Sequence, residues 1–131
     1  MTDSTDKEMV LATNQAFYDA FGDRDLRVMT SLWWQGSTSL CIHPGGQVIL
    51  GWEEIKASWN AIFRNTNALE IDFEIVKAEV DSSLAYVVVR EIVLQASSGR
   101  RMKAQSIATN VFQKMAQKWY LVQHHGSPII R

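Results

Sequence analysis

The stretch Leu69-Glu-Ile-Asp-Phe-Glu-Ile-Val-Lys-Ala-Glu-Val80, LEIDFEIVKAEV, decides the fold. Leu69, Ile71, Phe73 and Ile75 alternate with Glu70, Asp72 and Glu74, the period of a strand with one buried and one wet face. The alternation slips at Ile75-Val76 and resumes on Ala78 and Val80, so a β-bulge or bend is expected there. From residue 68 the apolar period changes from the helical one of the segment just before it to two.

Working back from that switch, residues 5–21 place Val10, Thr13, Asn14, Phe17, Tyr18 and Phe21 on one helical face. Asp3, Ser4 or Thr5 can cap this helix, Asp6 and Glu8 suit its positive end, and Gly22 is the expected stop. Asp25–Trp34 reads as a second, shorter helix burying Leu26, Met29, Leu32 and Trp33. Thr38–His43 is a strand, Pro44-Gly45-Gly46 a turn, and Gln47–Leu50 a short returning strand. Gly51 opens a third helix, Trp52–Arg64, with Glu53 and Glu54 in its first turn and an apolar stripe of Ile55, Trp59, Ile62 and Phe63.

Working forward, Leu84–Ala96 is a strand apolar on both faces, with Arg90 and Glu91 as its only charges. Arg101–Lys114 and Trp119–Ser127 follow, separated by Ser97-Ser98-Gly99 and Met115–Lys118. Helices first and a strand meander last predict an α+β fold. Three N-terminal helices pack on a strongly curved antiparallel sheet, a cone with an internal pocket, in one domain spanning residues 1–131. Val87, Val89 and Val93 are expected to need cover on the sheet's outer face, since the helices occupy only one side; a homodimer through that face provides it.

The bulk properties exclude several classes. The chain has 131 residues, 47% hydrophobic and 21% charged, with a net charge of −1, so no global field draws it to nucleic acid or anionic lipid. The single cysteine, Cys41, permits no intrachain disulfide. The polar start MTDSTDKEM lacks the blocks of a signal peptide, and no apolar run approaches the ~20 residues of a membrane helix. A cytoplasmic protein without membrane or nucleic-acid partners is expected.

Three local patterns, in this order, carry a resemblance to a known family: FYDAFGDRD (17–25), HPGG (43–46) followed by GWEEIKASW (51–59), and TNVFQKMAQKWYLVQHHGSPI (109–129). The chain resembles the SnoaL-like branch of the nuclear-transport-factor-2-like superfamily from about Phe17 to Pro128. The most specific piece is a Trp with a His six residues later and a Ser two beyond that, here Trp119, His125 and Ser127. The resemblance implies a cystatin-like cone with a pocket, and dimers through the sheet. It implies little about activity, because relatives include ketosteroid isomerase, scytalone dehydratase, polyketide cyclases and proteins without catalysis.

The site must therefore be read from its residues. His43 ends a strand before a rigid turn and either faces a cavity or bonds a nearby carbonyl. His124 and His125 are adjacent on a strand, so only one faces the cone; Trp119, Leu121, Gln123, His125 and Ser127 share a face, which favours His125. Two of the three histidines thus diverge, which argues against a metal site. Isomerase-type chemistry needs a base and an oxyanion donor in an apolar cavity, whereas Glu70, Asp72 and Glu74 lie on the wet face. Glu91 is the only acid inside the doubly apolar strand. Arg90 requires either an ion-pair partner or an anionic ligand. Asn110, on the face of Met102, Ala104, Ser106 and Ala108, suits a ligand space or close packing. Trp33, Trp52 and Trp59 either wall a pocket or fill the core.

Two functions from different classes follow. The first is a small-molecule-binding protein, with His43 and His125 as candidate catalytic residues and Trp33, Trp59, Arg90 and Asn110 as further binding candidates. Its ligand is a small hydrophobic compound, its chemistry acid–base (isomerase, dehydratase or cyclase type), and no cofactor is implied. The second is a non-catalytic dimerisation or interaction module with a vestigial pocket.

Overall fold

In the computed structural model, which describes residues 4–130, β3 (Ala68–Asp81) keeps its alternation and shifts register between Ile75 and Lys77. That is the expected step: Val76 is the extra residue of a bulge. β4 (Leu84–Ser97), β5 (Arg100–Met115) and β6 (Lys118–Pro128) continue an antiparallel meander. Before them come α1 (Ser4–Asp23), α2 (Leu26–Leu32), β1 (Leu40–Ile42), β2 (Val48–Leu50) and α3 (Trp52–Arg64). The curved sheet has the order β2-β1-β6-β5-β4-β3.

The sheet is mixed, which corrects the expectation of a wholly antiparallel one. β1 pairs antiparallel with β2 but parallel with β6, Cys41 lying opposite His124. No hairpin links β1 to β6; the intervening chain includes α3 and four strands, a connection long enough for parallel pairing.

α1 lies against β3 and β6, and α2 touches both α1 and α3. The helical face read from sequence is the buried one: Val10, Asn14, Phe17 and Tyr18 are all enclosed. Phe17, Trp59, Phe112, Trp119 and Leu121 fill the space between helices and sheet. Phe17 and Phe21 meet the Trp59 ring edge-on at 5.6 and 4.9 Å, contacts worth about 0.5–1.5 kcal/mol each beyond simple burial.

α1 runs through Gly22 and stops one residue later than expected. Arg24 adopts a left-handed φ of 53°, and Asp25 N–H and Arg24 N–H close back on the Ala20 and Phe21 carbonyls. The Asp25 side chain then caps α2 by accepting from Val28 N–H. Of the proposed α1 caps, Asp3 lies outside the described residues, and Ser4 and Thr5 are already helical.

The face assignment along β4 also needs correction. Ala85, Val87, Val89 and Glu91 are buried beneath the helices, so Val87 and Val89, expected to need an outer cover, already have one, and Val93 is half-buried on the same inward phase. Arg90, paired across the strands with Glu74 on the wet face, fixes the parity: Tyr86, Val88, Arg90, Ile92 and Leu94 point outward. Among the described residues, no helix is long and apolar enough to cross a membrane.

Candidate functional site

His43 begins the turn that the sequence marked. Its carbonyl accepts from Gly46 N–H at 2.7 Å, Pro44 takes the second position, and Gly45 has a φ of 76°, the left-handed third position of a type II turn. Two residues after buried Cys41, His43 points to the same side, towards α3. Its Nε2 lies 3.0 Å from Ser58 Oγ, and its ring meets Trp59 edge-on at 4.8 Å. Burial, with help from His124, pushes its pKa down to about 4, so the imidazole is neutral at pH 7.

The second histidine of the site is His124, and this overturns the choice of His125. Val111 pairs with Gln123 but Phe112 with Leu121, so Val122 is an extra residue that reverses the phase of β6. Trp119 and Leu121 face inward before the bulge; His124 and Gly126 face inward after it, and His125 is exposed. His124 is 1% exposed, with its ring 6.4 Å from that of His43 and 5.0 Å from Phe17. Its Nδ1 lies 2.6 Å from Asn110 Oδ1. Burial drives its pKa down to about 3. Nothing in the local sequence announces the bulge. On the inward phase after the bulge, the missing side chain of Gly126 leaves room for Pro44: a Cβ there would lie 2.7 Å from Pro44 Cγ.

Glu91 completes the site. It is 1% exposed, and Tyr18 and Ser106 each donate a hydroxyl hydrogen bond to its carboxylate at 2.6 Å. Burial raises its pKa; those two hydrogen bonds and His43 oppose the rise without cancelling it. Asn110 links the two halves, donating from Nδ2 to Asn14 Oδ1 at 3.0 Å and to Tyr18 Oη at 3.1 Å. The sequence carried this signal: Glu91 is the sole acid on the inward phase of Val87 and Val89, and Tyr18 and Asn14 share the buried face of α1.

His43, His124, Glu91 and Ser106 open on one cleft of about 310 Å³, whose apolar walls include Phe21, Pro44, Ile62 and Val93. The other sequence-derived candidates sort cleanly. Trp59 backs both imidazoles, its ring 6.0 Å from that of His124. Asn110 lies behind His124, within the network. Trp33 is core, its ring 6.0 Å from that of Trp52, and is not among the residues that line the cleft. Arg90 is on the outer face, ion-paired with Glu74, because its parity is opposite to that of Glu91. Asn14 Nδ2 and the Nε1 atoms of Trp33 and Trp59 are buried without a hydrogen-bond partner among the described residues. Two neutral imidazoles and a carboxyl group of raised pKa in a half-dry cleft can accept hydrogen bonds from a ligand and exchange a proton with it.

The SnoaL-like domain family model matches residues 10–131. Over 121 residues the chain is 26% identical to the F-box protein SKIP8 of Arabidopsis thaliana, covering 92% of this chain and 50% of that protein; the chain thus spans about half the length of that curated relative. A proposed dehydratase of the NTF2-like family from Streptomyces avermitilis is 28% identical, with a TM-score of 0.91 over 98% of this chain and 100% of that one. A proposed calcium/calmodulin-dependent protein kinase type II association domain from Thiobacillus denitrificans is 27% identical, with a TM-score of 0.81 over 91% and 94% of the two chains.

Proposed function

The chain belongs to the SnoaL-like domain family, and from that premise we propose that it binds a small, mostly apolar molecule in the cleft and carries out acid–base chemistry on it. The observation that carries this reading is the convergence of Glu91, His43 and His124 on one cleft with apolar walls. Glu91 is the proton carrier, because burial moves its pKa up toward the working range of a general acid or base. His43 and His124 hold the ligand's polar groups. A volume near 310 Å³ is at the small end for ligand sites and limits the ligand to a compact, one- or two-ring compound. The likeness to a proposed dehydratase supports proton transfer as the chemistry.

Native mass spectrometry for a copurified ligand, then NMR titration with a panel of bicyclic hydroxyl and carbonyl compounds, tests this. Shifts centred on His43, His124 and Ser106 support it; a panel that leaves all three unmoved, with no copurified ligand, overturns it. For any panel compound the protein converts, Glu91→Gln is expected to lower turnover by about a hundredfold or more, as for loss of a general acid or base.

A non-catalytic assembly role is the second reading, favoured by the uncovered outer face around Tyr86, Val88, Ile92 and Leu94 and by the likeness to a proposed association domain. We propose that this face pairs with a second copy of the chain; the two roles are compatible, since the cleft opens on the opposite face.

A further inference from the structure

Resting on that cleft reading, we propose that Asn110 is a positioning residue that locks His124 in one tautomer, and that the cleft is thereby built for a ligand that donates hydroxyl hydrogen bonds. Both Nδ2 hydrogens of Asn110 are committed, one to Asn14 Oδ1 and one to Tyr18 Oη. Its Oδ1 is then the only group it can offer His124 Nδ1, 2.6 Å away, so that nitrogen carries the proton and donates. His124 Nε2 is left with a lone pair. It has no hydrogen-bond partner among the described residues, on a side chain 1% exposed that lines the cleft.

The neighbouring groups repeat the pattern. Ser58 Oγ–H donates to the Ile55 carbonyl at 2.7 Å, so its oxygen accepts from His43 Nε2–H and leaves His43 Nδ1 with a lone pair, whose neighbour in the protein is the weak donor Cys41 Sγ at 4.0 Å. Tyr18 and Ser106 commit their hydroxyl protons to the two oxygens of Glu91. The buried end of the cleft therefore presents acceptors: two imidazole nitrogens and the Ser106 oxygen. A ligand that brings only a carbonyl or ether oxygen leaves those lone pairs unmatched; one that brings hydroxyl groups satisfies them. The ligand class is an apolar ring compound bearing hydroxyls, such as a phenol or cyclic alcohol.

Imidazole nitrogen NMR on the ligand-free protein tests the lock independently of any ligand. His124 is expected as the Nδ1–H tautomer, and Asn110→Asp, which can still accept, is expected to keep it. Asn110→Leu is expected to mix the tautomers; should that variant not fold, the wild-type and Asn110→Asp spectra decide. An Nε2–H tautomer in the wild type overturns the lock. The ligand class is tested with 2-naphthol against 2-methoxynaphthalene, which share one scaffold. The hydroxyl compound is expected to bind about tenfold tighter, the equivalent of one or two hydrogen bonds. Equal binding of both overturns the ligand class while leaving the cleft reading intact. Binding of neither counts against both the cleft reading and the ligand class, and leaves the tautomer to be judged on its own spectrum.

Discussion

At the residue scale, the cleft's two imidazoles make folding sensitive to acid. Their pKa values fall from 6.5 to about 4 at His43 and about 3 at His124, burial being the main cause for both. Below pH 6.5 the unfolded chain binds protons that the folded chain refuses, so stability falls as pH drops and the loss levels off near pH 4 and pH 3 respectively. His43 alone accounts for about 3 kcal/mol across its window. Glu91 acts in the opposite sense: its raised pKa means the folded chain holds a proton that the unfolded one releases above pH 4.5. His124→Gln, which can still donate to Asn110, is expected to flatten the acid limb of a urea-denaturation series from pH 7 to pH 4. An unchanged limb contradicts the burial of a neutral His124.

At the scale of elements, what could be read in the sequence divides at the two bulges. The β3 bulge was legible because apolar residues on both sides of Val76 show the phase before and after it. The β6 bulge was not, because Tyr120, Leu121 and Val122 are apolar on either phase and the two histidines look alike. One inserted residue therefore exchanged His125 for His124 and moved the predicted site by one position. α3 was legible to the residue, since a stripe of four large apolar side chains follows a glycine and leads to a polar end. The β1–β6 contact had no local signal, being set by tertiary packing. That contact is tight where it carries the site: Gly126→Ala puts a methyl group against Pro44 and must displace the turn that holds His43. A cost of about 1–3 kcal/mol is expected, with shifted His43 resonances, in a thermal-melt and NMR comparison. Asp25→Ala, outside the cleft lining, is expected to cost about 1 kcal/mol through the lost α2 cap and leave those resonances in place.

At the scale of the molecule, the curved sheet separates two tasks. Its inner face, closed by α1 and α3, holds the polar network and the cleft; its outer face carries Tyr86, Val88, Ile92 and Leu94 without a helix over them. If a second copy covers that face, Ile92→Arg is expected to convert a dimer to a monomer in light scattering while the His43 and His124 resonances stay put; a wild-type monomer at micromolar concentration contradicts the pairing. The central claim, that Glu91, His43 and His124 form one ligand site, is tested most directly by a crystal structure with 2-naphthol bound. The account predicts its rings between Phe21, Ile62 and Val93, with the hydroxyl within hydrogen-bond distance of His124 Nε2 or His43 Nδ1. Occupancy of the groove beside Met102 and Leu94 instead, with the cleft empty, would contradict it.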